Sequence, residues 1–183
     1  MARTERKAID KVLIFLGLVT AVALAVIGGL AWYGYHFATN QVKTELSSQQ
    51  IYFPPAGSPA IAALPASDQA QMNKYAGQQL VNGQQAKVYA NNFIAVHLKE
   101  VAGGQTYAQV STAALQDPTN QKLQVQKTVL FQGETLRGLL LGDGYSYWTF
   151  GMIAKWVAIV SFAGAAVMAV LVWLGLIHLV RLR

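Results

Sequence analysis

Two long stretches without a formal charge limit what this chain can become. Residues 12–37 and 156–180 contain no Asp, Glu, Lys or Arg, and each is about 25 residues long. A helix needs roughly 20 apolar residues to cross the hydrocarbon layer of a bilayer. A core helix of a soluble protein carries a polar face over such a length, and neither stretch has one. The expectation is two transmembrane helices, 12–37 and 156–180. The first follows basic residues, as a signal peptide does. It exceeds the roughly 7–15-residue apolar core of such a peptide and is read as a retained anchor.

The flanks give an orientation. Arg3, Arg6, Lys7 and Lys11 precede the first stretch, and Arg181 and Arg183 follow the second. Positive residues beside a span stay in the cytoplasm. Residues 1–11 and 181–183 are therefore expected inside, and residues 38–144 outside, the plasma (inner) membrane. Residues 38–144 hold seven Lys/Arg against six Asp/Glu, so most of the net charge of +6 sits at the membrane-flanking ends. A nucleic-acid partner is excluded on that distribution, since it requires basic charge on a folded face. The expected partners are the lipid bilayer and other membrane proteins or a second copy. Trp32, Tyr33 and Tyr35 close the first span. Tyr145, Tyr147, Trp148 and Trp156 mark an interfacial segment, 145–155, as rings at the headgroup layer do, and Lys155 can snorkel from it. With no cysteine, disulfides, thiolate metal sites and cysteine nucleophiles are excluded.

The central region reads as helical. Residues 38–50 lack Gly and Pro and continue the first helix. Residues 51–65 carry four prolines and are expected as an extended surface loop. Ser67 or Asp68 caps a helix to Leu80, and Asn82-Gly83 breaks it. A helix over 84–101 presents Ala86, Tyr89, Ala90, Phe93, His97 and Val101 on one face. Gly103-Gly104 ends it, and Thr106 caps a short helix to Leu115. Asp117-Pro118 starts a helix to about Leu141, where Gly142 and Gly144 interrupt. Its two apolar rows, Leu123/Leu130/Leu141 and Val125/Val129/Leu136/Leu140, suit a helix packed on two sides. The fold class is mainly α: two transmembrane helices flanking a small helical extracytoplasmic domain.

Three residue sets are candidate sites. Gly17, Ala21, Ala25 and Gly29, and Ser161, Ala165 and Ala169, repeat small residues every four positions, as close helix packing in lipid requires. In an antiparallel hairpin Gly29 levels with Ser161, and Ala21 with Ala169. Enlarging Ala25 or Gly29 should then part the helices, while Leu24 lies off the row. Tyr52, Phe53, Pro54 and Pro55 form an aromatic–proline patch suited to docking. His97 and Glu100, and Glu134 and Arg137, are i, i+3 pairs. They are read first as a satisfied polar cluster, and only weakly as metal or acid–base groups. His36 and His178 lie at opposite membrane faces and cannot complete a metal site there. No G-x-S-x-G, P-loop, Rossmann or haem motif occurs, and no cofactor is expected.

The segments Phe53-Pro-Pro-x-Gly-Ser-Pro, Lys74-Tyr-Ala-Gly-Gln-Gln, Ala95-Val-His-Leu-Lys-Glu-Val-Ala-Gly-Gly-Gln-Thr-Tyr and Leu130-Phe-Gln-Gly-Glu-Thr-Leu-Arg-Gly-Leu-Leu-Leu carry a family resemblance. The chain resembles a group of uncharacterised actinobacterial two-span membrane proteins over nearly its whole length. The resemblance implies this architecture and a cell-envelope setting. Some members are described as aromatic-ring-opening dioxygenases. Such iron enzymes need converging histidine and carboxylate ligands, and the outer region has one histidine. The functional expectation is a non-enzymatic accessory or scaffolding subunit of a cell-envelope membrane complex. The alternative is an extracytoplasmic ligand-binding or sensing module. Its tails, 1–11 and 181–183, are too short for an output domain, so it would relay through a partner. A metal-dependent enzyme ranks third.

Overall fold

The computed structural model describes residues 3–181, with side chains from Glu5. The Arg3 side chain and Arg183, counted among the flanking positive charges, lie outside what it describes. The chain is 82% helical, and the described residues contain a single isolated β-bridge, Tyr52 with Gln79, and no strand. It divides into two compact units: residues 1–37 with 150–183, and residues 38–149.

The first unit contains the apolar part of α1 (Arg3–Ser48) and most of α8 (Tyr147–Arg181). Both are long and apolar enough to cross a membrane. Only 11% of each apolar window is buried, whereas a soluble core helix of that composition would be largely covered. The contact between the helices follows a 3.5-residue period. On α1 the covered positions include Ile14, Gly17, Ala21, Leu24, Gly28, Ala31 and Tyr35. On α8 they include Ala158, Ser161, Ala165, Met168, Val172 and Gly175. Alternating steps of four and three hold a seam in register.

That period corrects the four-residue rows. Each step of four turns about 40° around an α-helix, so three steps carry a row roughly 120° away from its start. Ala25, Gly29 and Ala169 are accordingly exposed, and a side chain at Gly29 would meet nothing within 4 Å. Gly28 lies in the seam instead, where an added Cβ would stand 2.8 Å from the Phe162 ring. Leu24 also belongs to the contact, packing its Cδ1 3.2 Å from a Cβ built on Gly164. Gly17 faces Val172, and Ile14 faces Gly175, so the helices run antiparallel.

The second unit is built from the end of α1 and α2 (Pro59–Ala62), α3 (Ala66–Asn73), α4 (Gly83–Tyr89), α5 (Ala95–Val101), α6 (Tyr107–Gln116) and α7 (Gln121–Leu139). Two π-helical segments, Ala90–Ile94 and Leu140–Ser146, join α4 to α5 and α7 to α8 without a break. Gly142 and Gly144 therefore widen the helix rather than end it. The first π segment also shifts the packed face. Ala86, Ala90, Ile94, Leu98 and Ala102 are all buried, a constant step of four. An unbroken α-helix would rotate such a row out of the core, and the extra residue in the π turn absorbs the rotation. The buried row thus replaces Phe93, His97 and Val101 with Ile94, Leu98 and Ala102, and Val101 is exposed.

Several ends differ from expectation for local reasons. Helix α3 stops at Asn73 because residues 74–80 turn back along residues 51–53, with Phe53 N–H donating to the Gln78 carbonyl and Leu80 N–H to the Ile51 carbonyl. Pro65 holds the cap position of α3, with no side-chain cap. Helix α7 starts at Gln121 because Asn120, not Asp117, accepts the Leu123 N–H. Thr106 caps α6 in a reciprocal pair with Gln109, and Asn82 caps α4. Glutamine amides close several helix C-termini: Gln79 donates to the Ser47 carbonyl at 2.8 Å, Gln124 to Ala114 and Gln126 to Val101. The last carbonyls of a helix have no partner within the helix; the Ser47 carbonyl also accepts from the Gln50 N–H at 3.2 Å.

Candidate functional site

The expected docking patch is divided by the fold. Tyr52 is 57% exposed, but Phe53 is 1% exposed. The Phe53 ring lies 5.3 Å from both Tyr75 and Tyr89, and the chain of rings continues through Phe93 to His97. Phe53 is a core residue, and its hydrophobicity is spent inward. Pro54 is half-buried and Pro55 exposed, which leaves too little of the patch for a docking surface. Burial raises the Tyr89 hydroxyl above its usual pKa, since the phenolate would lose its water.

The polar candidates resolve into structural contacts. The His97 Nδ1 stands 2.8 Å from the Phe93 carbonyl, one turn back on its own helix. Arg137 pairs with Glu134 at 3.0 Å, and its Nη2 donates to Asn91 Oδ1 at 3.2 Å. Arg137 thereby ties α7 to the first π segment. Glu100 is exposed. Among the described residues no three His, Cys, Asp or Glu side chains converge as a metal site would require.

A different feature has the shape of a binding site. A cavity of about 400 Å³ lies between the end of α1 and the second π segment. Val42, Leu46 and Leu140 give it an apolar floor, and Glu45, Asp143 and Tyr147 bring polar groups to its edge. Glu45 accepts from Gln41 at 3.0 Å. Two carboxylates over apolar side chains suit a group that is cationic at one end and apolar along its body. The π segment places Asp143 there, and π turns are enriched at functional sites. The sequence shows Glu45 and Asp143 only as isolated acids almost a hundred residues apart, and the π turn that brings them together has no composition signal.

Behind Gly144, which lines the cavity, the backbones of α4 and the second π segment approach closely. Gly83, at the start of α4, is buried. A Cβ there would lie 2.4 Å from Trp148 Cβ and 2.9 Å from the Gly144 carbonyl oxygen. A Cβ on Gly144 would in turn meet Ala86 at 3.1 Å. Beside this crossing the Lys87 ammonium lies 3.2 Å from the Tyr145 hydroxyl and 4.6 Å from its ring centre. The hydrogen bond from Lys87 and its positive charge lower the pKa of Tyr145.

One face of α7 has no partner within the unit. Val125, Leu136 and Leu139 are exposed, and their spacing of eleven and three places them on one side of the helix. Phe131 lies apart and packs its ring 5.9 Å from Tyr107. The row expected as a second packed side is thus half uncovered. Leu139 belongs both to this face and to the cavity lining, so the two features adjoin. No family model, curated protein or solved structure matches the chain.

Proposed function

We propose that the chain is a two-span membrane protein with cytoplasmic termini and an extracytoplasmic helical domain. It acts as a non-catalytic accessory subunit of an envelope complex. The observation that carries the contact role is the uncovered face of α7, which runs through Leu139 into the acidic cavity. A partner segment matching it presents apolar side chains along α7 and places a lysine or arginine between Glu45 and Asp143. Such an arrangement couples apolar burial to a charge that sets register. The orientation rests on the basic flanks and the aromatic boundaries.

Gentle detergent extraction from native membranes, followed by native electrophoresis, tests this reading. The wild-type chain should migrate as a complex. Leu136→Asp together with Asp143→Lys should release it as a monomer without loss of helicity. A wild-type chain that runs only as a free monomer, with nothing co-purifying, removes the support for an accessory role.

A second reading, a ligand-binding or sensing module, is favoured by the convergence of polar groups on the cavity. Its ligand would be a small organic amine. Saturable thermal stabilisation of the full chain by spermidine, lost in Glu45→Gln, would favour this reading over a protein partner.

A further inference from the structure

We propose that the groove between α1 and α8 beside Asp10 and His178 binds a phospholipid with a primary-ammonium headgroup. The proposal rests on the two-span reading. The groove has a volume of about 270 Å³. Leu13, Ile14, Leu171 and Val172 make its walls apolar, and among the described residues only Asp10 and His178 contribute charge-bearing groups. Such a lining suits a hydrocarbon chain with a polar end.

Asp10 identifies the headgroup. Its Oδ2 is buried and has no hydrogen-bond partner among the described residues. Among the described residues, the cationic candidate that approaches it is His178, whose Nε2 is 4.0 Å away, beyond the roughly 3.2 Å of a hydrogen bond. A buried carboxylate oxygen without a donor is costly. An ammonium seated against Asp10 supplies both a donor and the opposite charge. A quaternary ammonium supplies charge without an N–H, and a glycerol headgroup supplies hydroxyl donors without charge.

The position agrees with this chemistry. Asp10 stands two residues before the charge-free stretch that starts at Val12, and His178 three residues before Arg181. Both fall at the headgroup level of a two-span hairpin. Lys7, Lys11 and Arg181 are within a turn of them along their helices, and their positive charge complements the lipid phosphate. Gly17 and Gly175 let α1 and α8 approach closely beside the groove, since an added Cβ would stand 2.9 Å from Val172 and 2.9 Å from Ile14 respectively.

The full chain is reconstituted in vesicles of equal phosphatidylethanolamine, phosphatidylcholine and phosphatidylglycerol, extracted in mild detergent, and its retained lipids are counted by mass spectrometry. Phosphatidylethanolamine should be retained about tenfold over phosphatidylcholine, corresponding to about 1.4 kcal/mol. Asp10→Asn should abolish that preference, and Asp10→Glu should restore most of it. Leu171→Trp leaves the carboxylate in place but fills the groove, and it should also lose the lipid. Water-soluble glycerophosphoethanolamine should not displace it. Equal retention of the three lipids, a preference that survives Asp10→Asn or Leu171→Trp, or displacement by the soluble headgroup would overturn the proposal. A chain released from the vesicles by alkaline carbonate contradicts the two-span reading itself. A chain that stays in the vesicles without headgroup preference contradicts only the lipid site.

Discussion

Gly83→Ala should destabilise the central unit, although alanine is the better helix former. The added Cβ would sit 2.4 Å from Trp148 Cβ, 2.7 Å from Trp148 Cγ and 2.9 Å from the Gly144 carbonyl oxygen. Apolar carbons rest about 3.5–4.0 Å apart, so the closest pair is short by more than 1 Å. The obstacles are a backbone carbonyl and a Cβ, which no rotamer change can move. Helix α4 must therefore shift from the second π segment. Overpacking costs about 1–3 kcal/mol, and this site belongs at the upper end. The gain in helix propensity is small because Gly83 is the first helical residue. In near-ultraviolet circular dichroism of the detergent-solubilised full chain, the melting temperature should fall by about 4–12 °C. Gly138→Ala provides the contrast: it lies inside exposed α7 with nothing within 4 Å and should gain about 0.5–1 kcal/mol. Trp148→Ala should not rescue Gly83→Ala, since it retains the offending Cβ. A Gly83→Ala chain at least as stable as wild type would refute the close-approach argument.

Gly28→Leu should separate the helices of the first unit, at a cost of about 1–3 kcal/mol that lipid does not replace, while Gly29→Leu should be nearly neutral. Thermal unfolding in lipid nanodiscs compares them, and equal effects would refute the 3.5-residue seam. In an alkaline titration followed by phenolate absorbance, Tyr145 should ionise below the usual tyrosine range, and Lys87→Met should restore the ordinary value. Tyr89 has the opposite sign: its raised pKa contributes stability that is fully present below about pH 10 and is lost as pH rises through the folded value. Tyr89→Phe should therefore leave stability near neutral pH almost unchanged and extend it on the alkaline side.

Local chemistry was legible in the sequence where one residue decides the outcome. Thr106 caps the helix that follows it, as expected; Asn82-Gly83, expected only as a break, caps α4 through the Asn82 side chain, which accepts from the Gln85 N–H. The long apolar helices follow from composition alone. Periodicity was less decisive, because small residues are abundant in both apolar stretches. Steps of four are then easy to find, and only the partner helix selects Gly28 over Gly29. Neither π segment has a residue signature, so the shift from Val101 to Ala102 and the placement of Glu45 and Asp143 around one cavity were not readable. Phe53 appeared as loop hydrophobicity because its cover, Tyr75 and Tyr89, comes from residues more than twenty positions away.

The absence of native cysteine allows a direct measurement of the membrane architecture. Single cysteines at Glu5, in the N-terminal tail, and at Leu115, exposed on α6, are treated in intact cells with a membrane-impermeant maleimide, and again after permeabilisation. A two-span chain with an outer central domain gives labelling at position 115 in intact cells and labelling at position 5 only after permeabilisation. Labelling at position 5 but not at position 115 in intact cells would contradict the orientation. Carbonate-extractable protein labelled at neither site before permeabilisation would contradict the membrane assignment.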